Sequence, residues 1–343
     1  LILYNLFIKN APILKSAILF SFVFLFLNGG GSPPLYGGTI TLLITSFIVF
    51  TVFKMKKQKF AGLLFGIKSG AVFMLAVIGT NLYWLLPQIG LFQSSYSNAL
   101  GATGGVEGLL SWEKIISKYA SYANLFRFQG IPDWYNNAIH QYANAFLTSP
   151  FLVVASFVPV LLISFGLLSG KLRNEKINTK IFLLAVLVSY IIGLFFTSGS
   201  HAPFGAVYEY LMRHVPGFAI FRSSFYKFGP VVWLCGAILT GYFFNSLLEN
   251  VKKKHVRCVL GGIGIFLLVL YHYPYVVSNI FRFHEFFSTK VQLPEYVKTT
   301  ADFVNNNMSS QDTILMLPEL NPGFHGTLID TYSWGYFSLD LLP

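Results

Sequence analysis

Charge is scarce in this chain, and acid is scarcest: Lys, Arg, Asp and Glu make up 11% of the 343 residues, with 13 acids against 24 bases. An ordinary soluble domain carries about 25% charged residues. That deficit, with 54% hydrophobic residues and a mean hydropathy of +0.60, excludes a water-soluble globule. Cysteine is nearly missing too. Cys235 and Cys258 fall near opposite faces of a bilayer in neighbouring apolar runs, too far apart for a disulfide, and read as buried, inert thiols. Metal-ligand spacing is absent: His201, His214, His255, His272 and His284 are scattered over both sides, and neither a zinc-type cluster nor a nucleophile-and-base constellation emerges.

What the chain has instead is long apolar runs. Seven can cross the ~30 Å hydrocarbon layer: Ala11–Leu27, Leu35–Phe53, Phe60–Pro87, Phe146–Leu168, Ile181–Thr197, Phe228–Leu248 and Val259–Val277. Lipid leaves backbone groups no partner but the segment itself, so each is expected to be helical. The fold class is therefore an all-α polytopic membrane protein.

Orientation follows from the basic residues. Lys54, Lys56, Lys57 and Lys59 follow the second span, Lys171, Arg173, Lys176 and Lys180 the fourth, and Lys252, Lys253, Lys254 and Arg257 the sixth. With Lys9 and Lys15 they make fourteen of the 24 basic residues, all expected on the cytoplasmic side of the plasma or inner membrane. The net charge of +11 is then a topology signal, and nucleic acid is not an expected partner. Residues 90–145 and 199–227 become outer loops, and everything after Ser278 extracytoplasmic.

The outer loop GSHAPFGAVYEYLMRHVPGFAIFRSSFYKF keeps His201, Arg213, Arg222 and Lys227 on the side that the charge bias disfavours. An anionic headgroup or lipid-linked phosphate suits these cations, with Arg222 supplying a guanidinium fork. Simple snorkelling of Lys227 to ordinary headgroups is the competing reading. Phe204, Val207, Tyr208 and Leu211 recur at helical spacing after Pro203, as in a short helix lying in the interface. In the other long loop, Trp112, Ile115, Ile116 and Tyr119 are expected on one helical face, with Glu113, Lys114 and Lys118 off it. Asn81, Tyr83 and Trp84 at the end of the third span, and Asp133 beside Trp134, are candidate sugar or lipid contacts. Helix-to-helix bonding by Asn81 and an aromatic belt are the plainer alternatives.

After residue 277 the composition changes. Residues 278–343 hold seven of the thirteen acids; Pro294 and Glu295 open a helix with Val297, Ala301 and Val304 on one side, and Thr313–Leu317 reads as a buried strand. This is the expected start of an extracytoplasmic α/β domain following a transmembrane domain over 1–277. Since Leu1 lies inside an apolar run and Pro343 inside that new unit, the chain is expected to be the middle of a longer protein.

Four segments, NLYWLLPQ, PFGAVYEYLMRHVPGFAIFRSSFYKF, LPEYVKTTADFVN and YSWGYFSLDLL, give the last three quarters of the chain a family likeness. Their order and placement resemble the GT-C glycosyltransferases that use polyprenyl-phosphate sugars, especially the α-(1→3)-arabinofuranosyltransferases and the related YfhO-type membrane proteins. The resemblance implies inverting transfer, on the outer face, of a sugar from a polyprenyl-phosphate donor to a cell-envelope glycan or glycolipid. It also implies an acidic general base in the first outer loop, which would lie upstream of Leu1, so Glu107, Asp133 and Glu209 are not assigned that role. No cofactor is fixed by it, though a divalent cation is compatible. Here Arg222 and Lys227 stand five apart with Ser223 and Ser224 between, a departure that leaves the sugar open. Two other classes remain: a lipid or glycan transporter or flippase, for which only Lys68 intrudes into a span and no repeat is visible, and a non-catalytic GT-C-like membrane anchor.

Overall fold

The computed structural model of the chain describes residues 1–26, 37–102, 104–132, 141–274 and 295–307. Among the described residues there is no strand, and the apolar runs are helices. The helices at the start are α1 (Ile2–Ile8), α2 (Ile13–Phe26), α3 (Gly37–Gln58) and α4 (Phe60–Ala102). Next come α5 (Val106–Ser117), α6 (Tyr122–Phe126), α7 (Gln141–Thr148), α8 (Pro150–Ala155), α9 (Val158–Leu168) and α10 (Lys171–Asn174). The series closes with α11 (Ile177–Ser198), α12 (Gly205–His214), a 3₁₀ turn (Phe218–Phe221), α13 (Ser224–Glu249), α14 (Lys254–Tyr271) and α15 (Glu295–Asn307).

Among the described residues six stretches are long and apolar enough to cross a membrane: Gly37–Gln58, Phe60–Tyr83, Pro150–Leu168, Ile177–Ser198, Ser224–Glu249 and Lys254–Tyr271. The chain is thus a multi-pass membrane protein. The first of the seven expected spans is a shorter apolar helix, Ile13–Phe24, packed against α4. The third does not end at Pro87, because α4 continues for 43 residues, about 64 Å at 1.5 Å per residue and roughly twice the hydrocarbon thickness. The segment expected to begin an outer loop at Gly90 is therefore still helix. The fourth span is broken between α8 and α9, and Pro150 and Pro159 each stand in a first helical turn, where a missing N–H leaves no helical bond unmade.

The bundle is built around α11, whose span is 56% buried and which packs against α13 and α3. Helices in lipid associate by close packing, which small residues allow. Gly193 shows why: a Cβ there would stand 2.7 Å from Val231 Cγ1 and 3.3 Å from Val232 Cγ2. Between α3 and α11, the Thr45 and Ser189 hydroxyls meet at 2.5 Å, and both also lie against carbonyls of their own helices. α14, by contrast, has no buried residue.

Direction alternates along this core. Gly37 and Gly38 abut Phe228 and the Lys227 carbonyl, so α3 and α13 start at one end, while α11 starts at the other, where Ile181 joins Phe50 in one cluster. The turns after α3, α9 and α13, with their three lysine and arginine groups, accordingly share a lysine-rich end. Lys54 is not a loop residue as expected: only 5% exposed, its Nζ donates to Asn10 Oδ1 at 2.6 Å and sits 4.3 Å from the Phe65 ring centre. The cysteines differ too, Cys235 being buried and Cys258 exposed. In the last segment the helix begins at Glu295 as expected and buries Val304; the strand expected at Thr313–Leu317 lies outside the described residues.

Candidate functional site

Opposite the lysine-rich end, α5, α12 and the 3₁₀ turn gather over the start of α13. The pattern Leu109, Leu110, Glu113, Ile116, Ser117 is the buried face of α5, whereas Trp112 and Ile115 are 48% and 61% exposed. The expected face was therefore rotated, and Glu113 is enclosed rather than solvated, with 0% exposure. The reason is a set of donors at the α13 N-terminus, where the first backbone N–H groups have no helical acceptor and favour an anion. Glu113 Oε2 accepts the Ser224 N–H at 2.9 Å and Oε1 accepts the Ser224 hydroxyl at 2.5 Å. The Ser223 and Ser200 backbone N–H groups also lower its proton affinity.

Ser223, the residue before α13, has φ 71° and makes no capping bond of its own. Its hydroxyl instead accepts the Trp112 indole N–H at 2.8 Å. Two consecutive residues of α5 thus hold two consecutive residues at the head of α13. Gly199 completes the enclosure: with φ 54°, a Cβ there would fall 2.0 Å from Glu113 Oε1 and 2.3 Å from Ser224 Oγ, so only glycine fits. Burial pushes the Glu113 carboxyl above the ordinary glutamate value, against the opposing pull of Ser224, Ser223 and Ser200.

The four expected cations have separate fates. Arg213 is spent on carboxylates: its Nε and Nη2 reach Glu107 at 2.8 and 3.3 Å, and its Nη1 reaches Glu209 at 3.3 Å. Lys114 also pairs with Glu209, at 3.3 Å. This exposed network ties α5 to α12, and the Arg213 guanidinium holds the Glu107 carboxyl below its usual range. Lys227 folds back, its Nζ donating to the carbonyls of Ile220 and Arg222. His201 bonds through Nδ1 to the Ala202 carbonyl at 2.7 Å. Among the described residues, the half-buried Arg222 guanidinium has neither a hydrogen bond nor an ion pair.

Tyr208 explains how the Arg222 turn is fixed from the other side. On α12 the face expected to lie in the interface is divided, with Phe204 and Val207 about half exposed and Tyr208 fully buried. The Tyr208 hydroxyl donates to the Phe221 carbonyl at 2.9 Å, and burial, followed by the nearby Glu113 charge, pushes its phenol well up. Leu109, Leu110, Tyr208, Met212 and Ala219 form the core beneath.

No family model, curated protein or solved structure matches this chain. Of the expected sugar or lipid contacts, Asn81 is buried and its Nδ2 donates to the Val77 carbonyl at 2.8 Å and Thr80 Oγ1 at 3.0 Å, within its own helix. Tyr83 is exposed. The side chain of Trp84, and Asp133 and Trp134, lie outside the described residues. Among the described residues no three His, Cys, Asp or Glu side chains group as a metal site. An apolar cleft of about 480 Å³ opens between α9 and α11, lined by Ile163, Leu187, Ile191 and Leu194, with Tyr122 and Phe204 also at its walls.

Proposed function

We propose that the chain is the membrane body of a glycosyltransferase that takes a sugar from a polyprenyl-phosphate donor on the outer face of the membrane and passes it to a cell-envelope glycan or glycolipid. The observation that carries this reading is the Arg222 guanidinium, unpartnered among the described residues at the head of a span, on a turn whose every neighbour is fixed. Arg213, equally basic, is already neutralised. The charge bias that assigns the lysine-rich end to the cytoplasm assigns this turn to the exterior.

The chemistry such a turn can supply is electrostatic. As the sugar–phosphate bond breaks, negative charge accumulates on the departing lipid phosphate, and a donor already aimed at it lowers the barrier without reorganising. Arg222 offers a two-pronged contact, and Lys227, anchored to carbonyls, adds field rather than a flexible hand. Glu113, fully enclosed among donors, is not placed to take a proton from an acceptor hydroxyl, and none of the described carboxylates is assigned the role of base. The apolar cleft, which Phe204 of the same outer segment helps to line, offers room for hydrocarbon.

The test is transfer of a labelled sugar from polyprenyl phosphate by the full-length protein in liposomes. Arg222→Ala is expected to slow turnover by about 10²–10³-fold, the range seen when one preorganised transition-state donor is removed. Arg213→Ala, which breaks exposed ion pairs, is expected to stay within about fivefold of the parent. Equal turnover with and without Arg222 contradicts the reading, as does lipid movement across the bilayer with no transfer at all.

A further inference from the structure

A carboxylate enclosed at 0% exposure with no ion pair among the described residues needs a reason. Glu113 takes no part in the phosphate contact, yet it reaches the two segments that flank it: it lies against Gly199, two residues before His201, and accepts both the backbone N–H and the hydroxyl of Ser224, two residues after Arg222. Ser117 on the same helix strengthens the first link, its hydroxyl meeting that of Ser200 at 2.7 Å. The second link is doubled by Trp112. Arg222 has an extended ψ of 144° and Ser223 a left-handed backbone, a conformation that non-glycine residues hold only when the surroundings impose it. Glu113 and Trp112 are what impose it here.

We propose that Glu113 is a positioning residue: by holding Ser224 at the head of α13 against the segment at Gly199 it sets the direction in which Arg222 meets an anionic ligand, so that α5 controls phosphate recognition by α13. This rests on the reading of Arg222 as the phosphate contact. The arrangement is directional, because Glu113 accepts both the Ser224 N–H and the Ser224 hydroxyl at the head of α13 while it is packed against Gly199. Its charged surroundings are Lys227 on α13 and, on the outer faces of α5 and α12, Lys114, Glu107, Glu209 and Arg213, which neutralise one another.

The experiment is a double-mutant cycle on the full-length protein in detergent micelles, with geranyl phosphate as the probe and hydrogen–deuterium exchange of the peptides spanning 198–205 and 219–228. Glu113→Gln is expected to weaken probe binding at least tenfold and to speed exchange in both peptides. In that background Arg222→Ala is expected to add less than twofold, since a misdirected arginine has nothing left to lose. Ser224→Ala, a milder change that keeps the backbone donor, is expected to shift binding and exchange in the same direction, and it decides the matter if Glu113→Gln does not fold. If Arg222→Ala weakens binding while Glu113→Gln leaves it unchanged, or if the two losses simply add, the positioning role is wrong and the phosphate contact stands. If Arg222→Ala itself binds like the parent, the phosphate reading fails, and the positioning role with it.

Discussion

At the residue scale the site turns on what burial does to single charged groups. Glu113 and Glu107 lie on one helix and respond oppositely: burial lifts the first carboxyl, while Arg213 depresses the second. For Glu113 the folded state holds its proton to a higher pH than the unfolded chain, so stability decreases as pH rises from the ordinary glutamate value through the raised one, then levels off. Glu107 behaves conversely, its contribution being present above the ordinary value and lost as pH falls through its depressed one. The thermal unfolding midpoint is therefore expected to rise, through the Glu113 contribution, as a neutral sample is acidified toward the ordinary glutamate range. In Glu113→Gln that dependence should vanish, and a retained slope would assign it to another group. The enclosure of Glu113 was legible in principle, since Leu109, Glu113, Ile116 and Ala120 share a helical face. Reading the tryptophan as the anchor of that face concealed it, because indole exposure at a membrane rim defeats the rule that the largest apolar side chain points inward.

At the element scale, apolar length located the spans but not their ends. α4 outruns the bilayer because nothing after Tyr83 breaks a helix apart from Pro87, which a helix in a bundle tolerates at the loss of one backbone bond. The break between α8 and α9, conversely, falls within one continuous apolar run and has Pro159 as its only local sign. Packing gave finer discrimination than hydropathy: α11 and α14 are both apolar, yet one is the centre of the bundle and the other has no buried residue. Gly193→Ile should wedge α11 from α13 and lower stability by about 1–3 kcal/mol, the usual range for overpacking. Gly262→Ile on α14, where a Cβ meets nothing within 4 Å, should change it by no more than about 0.5 kcal/mol. Steric-trapping measurements in bicelles can compare them, and equal effects would mean that α14 is as closely packed as α11.

At the scale of the whole molecule, alternation of the helices puts the lysine-rich turns at one end and the Glu113–Arg222 assembly at the other. Composition and lysine placement made this division readable. The partner choices within the far end were not readable, since Arg213, Lys227 and Arg222 look alike in sequence and only tertiary contacts commit the first two to carboxylates and carbonyls. The central proposal joins both levels: that Arg222 meets a lipid phosphate, and that it does so from outside the cell. The most direct measurement is binding of radiolabelled geranyl phosphate to sealed right-side-out membrane vesicles carrying the full-length protein. The account predicts saturable binding without permeabilisation, lost in Arg222→Ala and kept in Arg213→Ala. Binding that emerges only after the vesicles are opened, or that survives without Arg222, would contradict it.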